Sequence, residues 1–270
     1  MDLYGLLFGS TWKLAHSLST LVSASVARGI RAGGATPEVA MEDFFFYCVA
    51  KGSKHIRAAL LLIENDLPED AIVVCRAAYE CYVCAAYART HGIKAVDELV
   101  FNPVGLGAGT VEFARTKKGG WNYRSLIDRE TGTSYVAAPS IERMAASTGN
   151  SNDASVHRYF YSFASEHVHV NMSGSGNYRN GERYTDEGSS QTPNAIFLLA
   201  YVSVILVELA VSRSATDEGL RWEIERDINA VAEQIEQVLR VDESAAPADF
   251  DTAMMARLDA HLNTPPFQGG

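Results

Sequence analysis

The chain has 270 residues, of which 47% are hydrophobic and 21% are charged, and its formal net charge is −10. This composition is typical of a globular protein with a substantial core. The acidic balance argues against a protein that coats nucleic acid or anionic membranes non-specifically, because clustered Lys and Arg carry such binding.

Apolar residues recur at helical spacing along most of the chain, which predicts an all-α, multi-helix bundle. In chain order, the predicted helices cover about residues 3–28, 37–65, 69–90, 93–101, 152–170, 194–212 and 216–240. The last of these has one apolar stripe, as expected of a helix on the outside of the bundle. We expect residues 1–240 to form a single α-helical domain and residues 241–270 to form a tail with a short helix.

The third predicted helix, about residues 69–90, is apolar on every side and yet carries Arg76 and Glu80. We expect this helix to be buried and the bundle to be built around it. Asp66 is placed to cap its N-terminus, and Gly92 marks its end. Arg76 and Glu80 lie four residues apart on one face, so they form either a buried ion pair that fixes packing or part of a functional site.

The middle third, residues 102–150, has no long periodic segment. Short helical turns are predicted at residues 111–117, 121–130 and 139–147, and the glycines of residues 105–109 predict a flexible loop. Basic and aromatic residues alternate there in a patch that is either a binding surface or a solvated face. The patch consists of Arg115, Lys117, Lys118, Trp121, Tyr123, Arg124 and Arg129.

Two segments, residues 69–90 and 195–211, are apolar enough to suggest membrane spans. We interpret both as core helices, because the first carries two charges and the second has only about 13 residues before Glu208, where a span needs roughly 20. The N-terminus has no export signal, and the four cysteines suit reduced, buried thiols. We therefore expect a cytoplasmic protein with no membrane partner.

Polar side chains cluster where the helix predicted at residues 152–170 ends. His169 would lie at its C-terminus, where the helix dipole favours a protonated ring. His167 and His169 point about 200° apart on a helix, so they cannot share one metal ion unless the helix ends there, which Asn171 and the glycines after it indicate. Ser165 lies one turn before His169, either as a nucleophile or, the interpretation we favour, as a hydrogen-bond partner that holds the ring. Ser165, His167 and Asn171 are candidate binding residues.

A long, polar, glycine-rich loop follows, at about residues 171–193. Loops of this length in a compact protein are usually disordered or functional, as lids or binding loops. Because the loop begins directly after the histidines, it is placed to admit a substrate.

The segments ALLLIENDLPEDAIVVCRAAYECYVCAAY and YFYSFASEHVHVN resemble a bacterial family catalogued as domain of unknown function 5677. In that family, a helical hairpin carries an Arg with a Glu four residues on, and a later helix ends in Ser-x-x-x-His. The corresponding residues here are Arg76, Glu80, Ser165 and His169. The resemblance covers about residues 44–171.

The family is similar to the HEPN helical proteins, many of which are ribonucleases in toxin and antiphage systems and act across a dimer. Their signature is an Arg followed after four to six residues by a His on one helix. This chain departs from it, because Arg158 lies nine residues before His167 and eleven before His169.

Two hypotheses follow. The resemblance implies a metal-independent ribonuclease of a defence or stress system, or a degenerate relative. In the enzyme, His169 would take the proton from the 2′-hydroxyl and Arg76 would stabilise the phosphate charge, with Glu80 orienting either residue. This chemistry requires no metal, and we predict neither a metal nor a cofactor. The alternative is a non-enzymatic interaction module in which these side chains and Ser165 form a buried structural network. Under these hypotheses, the partner is RNA, another protein or a second copy of the chain.

Overall fold

The computed structural model describes residues 2–26, 37–168, 178–180, 182–184, 190–213, 218–241, 252 and 254–257. The helices of this part of the chain are α1 (Leu3–Val26), α2 (Pro37–Glu64), α3 (Pro68–His91), α4 (Ile93–Val96), α5 (Asn102–Ala108), α6 (Ile141–Ala145), α7 (Asp153–Val168), α8 (Thr192–Val211) and α9 (Glu218–Val241). A π-helical turn, Asp97–Phe101, joins α4 to α5. The strands are β1 (Val111–Arg115), β2 (Trp121–Asp128), β3 (Ser134–Val136), β4 (Arg179–Asn180) and β5 (Arg183–Tyr184). The predicted helical bundle is confirmed.

Two helices, α3 and α8, form the inside of the bundle. α8 is the more completely enclosed, with 16 of its 20 residues buried, whereas α3 has 13 of 24. α3 contacts α2, α4, α6, α7 and α8, and α8 contacts α1, α2, α3 and α9. The core is therefore built around this pair of apolar helices rather than around α3 alone.

The outermost long helix, α9, covers the core with a single face. The apolar stripe predicted from its sequence is buried, and the residues that make it are Ile224, Ile228, Val231, Ile235 and Val238. The other positions of α9 are largely charged, so one face packs against α1 and α8 while the opposite face meets water.

A short turn joins α2 to α3, so the two helices pack side by side as a hairpin. Asp66 does not cap α3 as predicted, because it lies in the left-handed region with φ 58° and Leu67 takes the N-cap position without a side-chain bond. Pro68 opens the helix, where its missing N–H costs nothing. Gly92, also at φ 58°, ends the helix as predicted.

Gly52 allows α2 to approach its neighbours closely. A Cβ atom at this position would lie 2.5 Å from Leu206 Cδ2 of α8 and 3.3 Å from Cys81 Cβ of α3. Both neighbours are buried, so neither has free space into which to move. The glycine is thus a packing residue at the point where the three helices meet.

The middle third differs from its prediction. The turns predicted at residues 111–117 and 121–130 are strands, and β1, β2 and β3 form an antiparallel sheet in that order. The glycine-rich residues 105–109 are not a flexible loop, because α5 runs to Ala108 and Gly109 ends it at φ 73°. Short alternating strands and a seven-residue helix are too brief to give a clear period in the sequence.

Part of the C-terminal region packs into the bundle. Residues 254–257 are helical, Met254 is fully buried in the core, and Arg257 is only 6% exposed. Of the loop predicted at residues 171–193, the described residues form the pair β4 and β5 and the first turn of α8.

Among the described helices, α3 and α8 are long and apolar enough to cross a membrane by length and composition alone. Within the bundle, however, 67% of the apolar stretch of α3 and 89% of that of α8 is buried. Core helices of soluble proteins have this arrangement, and we keep the interpretation that both are core helices.

Candidate functional site

Arg76 and Glu80 lie at the edge where α3 meets α7. Arg76 Nε donates to Glu80 Oε1 at 3.2 Å, and Arg76 Nη2 donates to the hydroxyl of Tyr161 on α7. The guanidinium carbon lies 4.2 Å from the centroid of the Tyr161 ring. The side chains of Arg76 and Glu80 are 20% and 35% exposed, so the pair is not buried as the structural interpretation required. We call these three residues the Arg76 cluster.

Three levels of contact between α3 and α7 fix the position of Tyr161. Tyr82 on α3 meets Asp153 on α7, Tyr79 meets His157, and Arg76 meets Tyr161. Along these three pairs, the residue number on α7 increases as the residue number on α3 decreases, so the two helices run antiparallel. Because these contacts recur about every turn of each helix, a shift of α7 along α3 would break all of them at once. The Arg76 cluster is therefore held by packing along the whole interface.

Aromatic stacking extends the contact between the two helices. His157 stacks against Tyr161 and Tyr79, with ring centroids 4.8 Å and 5.8 Å apart. The histidine is only 6% exposed, and burial lowers its pKa, although the charges of Glu142 and Glu80 oppose that shift. His157 is thus a neutral packing residue beneath the cluster.

The charge of Glu80 in the Arg76 cluster also affects the pKa of His55 on α2. Its pKa is lowered by burial and by the charge of Lys51, and is raised by the charge of Glu80. The ring is half-buried, and its Nε2 atom has no hydrogen-bond partner within the described part of the chain. The charge of Glu80 therefore acts on a histidine of another helix, which the sequence alone did not predict.

Two further predicted site residues, Ser165 and His167, lie near the C-terminal end of α7. The hydroxyl of Ser165 donates to the carbonyl of Tyr161 one turn back, so it bonds its own helix. His167 Nδ1 lies 3.1 Å from the carbonyl oxygen of Phe163, and the two rings are 4.9 Å apart. His169 and Asn171 lie outside the described residues, so their approach to Arg76 stays a prediction.

A second polar cluster, which sequence analysis missed, lies inside the bundle at the start of α7. Asp153 is 1% exposed and accepts hydrogen bonds from Tyr82, at 2.7 Å, and from Thr148, at 2.5 Å. Arg257 lies 3.7 Å from Asp153 and donates to Glu208 of α8 at 2.6 Å. Burial raises the pKa of Asp153, while Thr148, Tyr82 and Arg257 lower it. These residues are far apart in the sequence, so no local motif predicts that they form a cluster.

The cysteines show no activated thiol. Cys48, Cys75 and Cys81 are buried and Cys84 is half-buried, and all four are free. Burial is the main cause that raises the pKa of each thiol, to about 11 for Cys81 and about 12 for Cys84. Among the described residues, no three His, Cys, Asp or Glu side chains are grouped to hold a metal ion.

One comparison with known proteins gives a match. The model of a family of unknown function, DUF5677, matches residues 42–187, which include α3, α7 and the Arg76 cluster. This confirms the resemblance to domain of unknown function 5677, while the similarity to HEPN proteins stays a prediction. Neither the curated proteins nor the solved structures give a significant match.

Proposed function

The chain belongs to the family of unknown function DUF5677, and we propose that it is a metal-independent ribonuclease whose phosphate-binding residue is Arg76. The observation that carries the proposal is that the Arg76 guanidinium is oriented by Glu80 and Tyr161 while the Arg76 side chain remains 20% exposed. A guanidinium that is held in place and partly desolvated attracts a phosphate more strongly than one free in water.

Arg76 retains donors for a substrate. A guanidinium has five N–H groups, and the contacts within the described residues use one on Nε and one on Nη2. Within the described residues, no hydrogen bond uses the other three, which we propose bond phosphate oxygens. In the proposed reaction, His169 accepts the proton of a 2′-hydroxyl, whose oxygen attacks the adjacent phosphorus as the bond to the 5′-oxygen breaks. The products are a 2′,3′-cyclic phosphate and a 5′-hydroxyl, and the leaving 5′-oxygen takes its proton from water. Arg76 stabilises the negative charge that develops on the phosphate.

Cleavage of end-labelled RNA in the presence of chelator tests this reaction. We expect Arg76→Lys to lower the rate by about 10²–10³-fold, because Lys cannot reproduce the forked contacts. His169→Asn should lower it by about 10²–10⁴-fold through loss of the general base. The matched control is Arg221→Lys, which alters an Arg paired with Glu225 four residues on, at 3.0 Å, on α9. Wild-type protein that does not cleave, or variants as active as the control, would refute the proposal.

A second candidate function is the non-enzymatic interaction module. It is favoured by the contacts of the Arg76 cluster, which link α3 to α7. The hydroxyl of Ser165 bonds its own helix instead of joining that cluster. If this is the function, no RNA is cleaved, and Arg76→Met costs about 0.5–1.5 kcal/mol of unfolding free energy by removing the bonds of Arg76 to Glu80 and Tyr161, which are only partly buried. Chemical denaturation of wild type and variant, beside the cleavage assay, separates the two functions.

We further propose that the protein works in the cytoplasm, where its buried thiols stay reduced, and that two copies associate. Light scattering of the purified protein measures the association directly. A mass of one chain, 29.3 kDa, at concentrations that support activity would refute the dimer. Fractionation of cells into soluble and membrane portions tests the location.

A further inference from the structure

We propose that the hairpin of β1 and β2 is a binding surface for single-stranded RNA, on different elements from the Arg76 cluster. We call this surface the hairpin patch, and its members are Phe113, Arg115, Lys117, Lys118, Trp121, Tyr123 and Arg124. The choice of RNA over DNA rests on the proposed function, whereas the case for a single-stranded nucleic acid rests on the residues of the patch.

Positive charge is segregated to the outer end of this hairpin. Residues 113–127 contain four basic side chains and no acidic one, in a chain whose net charge is −10. The acidic residues that flank this segment in the sequence, Glu112 and Asp128, lie at the opposite end of the hairpin and are engaged there. Glu112 pairs with Arg129 at 2.8 Å, and Asp128 accepts backbone N–H groups of the turn that follows it. The outer end is thus a local cationic site on an acidic protein.

Aromatic rings are exposed beside these charges. Tyr123 is 66% and Trp121 43% exposed, although rings of this size are usually covered. The edge of Phe113 packs against the Tyr123 ring, with centroids 5.1 Å apart, and the Arg115 guanidinium stacks on Trp121 at 3.3 Å from its centroid. These contacts hold the rings in place, so little freedom is lost when a further ring stacks on them.

An open cavity of about 250 Å³ lies against the same rings. Phe113, Trp121 and Tyr123 line it, and Leu106, Gly109, Val111 and the ion pair of Glu112 with Arg129 form the rest of its lining. A ring-lined cavity next to exposed cations suits a chain that carries both bases and phosphates.

The combination of rings and cations selects the partner. Lys117, Lys118 and Arg124 match a phosphate backbone, and base stacking on aromatic side chains binds single strands with little sequence preference. A duplex hides the faces of its bases from such rings. An acidic peptide would use the cations but leave Trp121 and Tyr123 unoccupied. Because the patch is small and the rest of the chain is acidic, binding is local and does not coat the protein.

Fluorescence anisotropy of the full chain with a short, labelled single-stranded RNA tests this proposal. The RNA carries 2′-O-methyl groups, so it cannot be cleaved through its 2′-oxygens, and binding is measured apart from catalysis. Tyr123→Ala should weaken binding about tenfold. The double variant Lys117→Gln/Lys118→Gln should reduce the slope of log K against log salt by about 1.4, which is roughly 0.7 for each lost phosphate contact.

The matched control is taken from α9, where Trp222 is 61% exposed and the Arg226 guanidinium lies 5.2 Å from its ring centroid. Trp222→Ala and Arg226→Gln also remove an exposed ring and an exposed cation, and both should leave binding unchanged. Circular dichroism confirms that each variant is folded.

Several results would overturn the proposal. Equal affinity of Tyr123→Ala and wild type would show that the rings take no part. Equal affinity for duplex RNA or single-stranded DNA of the same sequence would refute the stated partner. Polyglutamate that binds as tightly as RNA would make the patch a docking site for acidic protein segments. Binding through the patch without cleavage refutes only the ribonuclease, and cleavage with binding unchanged by Tyr123→Ala refutes only the patch.

Discussion

Replacement of Arg257 by methionine is expected to destabilise the protein by about 3–5 kcal/mol, because it leaves the buried carboxylate of Asp153 and the half-buried carboxylate of Glu208 without their counter-charge. Arg257 is 6% and Asp153 1% exposed, and Arg257 bonds Glu208 through both terminal nitrogens, at 2.6 Å and 3.3 Å. For a chain of this size, the loss corresponds to a fall in Tm of about 6–20 °C. Chemical and thermal denaturation measure both quantities. Arg240→Met, which removes a side chain that is 74% exposed, should cost less than about 1 kcal/mol.

The same variant should be least destabilised in acid. Burial holds the pKa of Asp153 in the folded state above 3.8, its usual value. At pH values between 3.8 and that raised pKa, the folded state binds the proton more tightly than the unfolded state does, so stability falls as pH rises. Without Arg257, whose charge lowers it, the pKa of Asp153 rises further. The pH range in which stability falls then extends upward, and the loss of unfolding free energy at neutral pH grows. In the double variant Arg257→Met/Asp153→Asn, the loss of unfolding free energy should be about 0.5–3 kcal/mol smaller than the sum of the losses in the two single variants. A loss no larger than that of Arg240→Met, at every pH, would refute the buried network.

Three further predictions concern packing, protonation and the thiols. Gly52→Ala should be about 1–3 kcal/mol less stable than Gly9→Ala, measured by chemical denaturation. Both substitutions raise helix propensity, but only the methyl group added at Gly52 meets packed atoms. Because burial lowers the pKa of His157, the unfolded state binds its proton more readily, so stability should fall as pH drops below 6.5, and His157→Phe should flatten that slope in titrated denaturation. Iodoacetamide at neutral pH should label Cys81 and Cys84 far more slowly in folded than in denatured protein, measured by mass spectrometry.

The long helices could be predicted from the sequence because each supplies several turns of a single pattern. The stripe on α9 and the proline and glycine that bound α3 are local features, and they agree with the structure. The sheet of β1, β2 and β3 could not be predicted in this way. Its strands are three to eight residues long, and β1 has a register shift between Phe113 and Ala114 that breaks its alternation.

The candidate site could be predicted only in part, because contacts between distant segments leave no local pattern. Arg76 and Glu80 were identified from their charges on an apolar helix, and their contact is present. Tyr161, which completes the Arg76 cluster, is one of several aromatic residues on α7, and nothing in the sequence distinguishes it from Tyr159 or Phe163. Its role follows from the antiparallel alignment of α7 along α3.

The two polar clusters are connected through one helix. Asp153 at the start of α7 is bonded to Tyr82 of α3 and lies beside Arg257, while Tyr161, two turns further along α7, is bonded to Arg76. A rigid helix transmits a fixed position from its first turn to its later ones, so the buried cluster sets where the Tyr161 hydroxyl meets the guanidinium. The buried cluster therefore positions the Arg76 cluster whether the latter binds a phosphate or only links two helices, and Arg257 makes the C-terminal region part of that support.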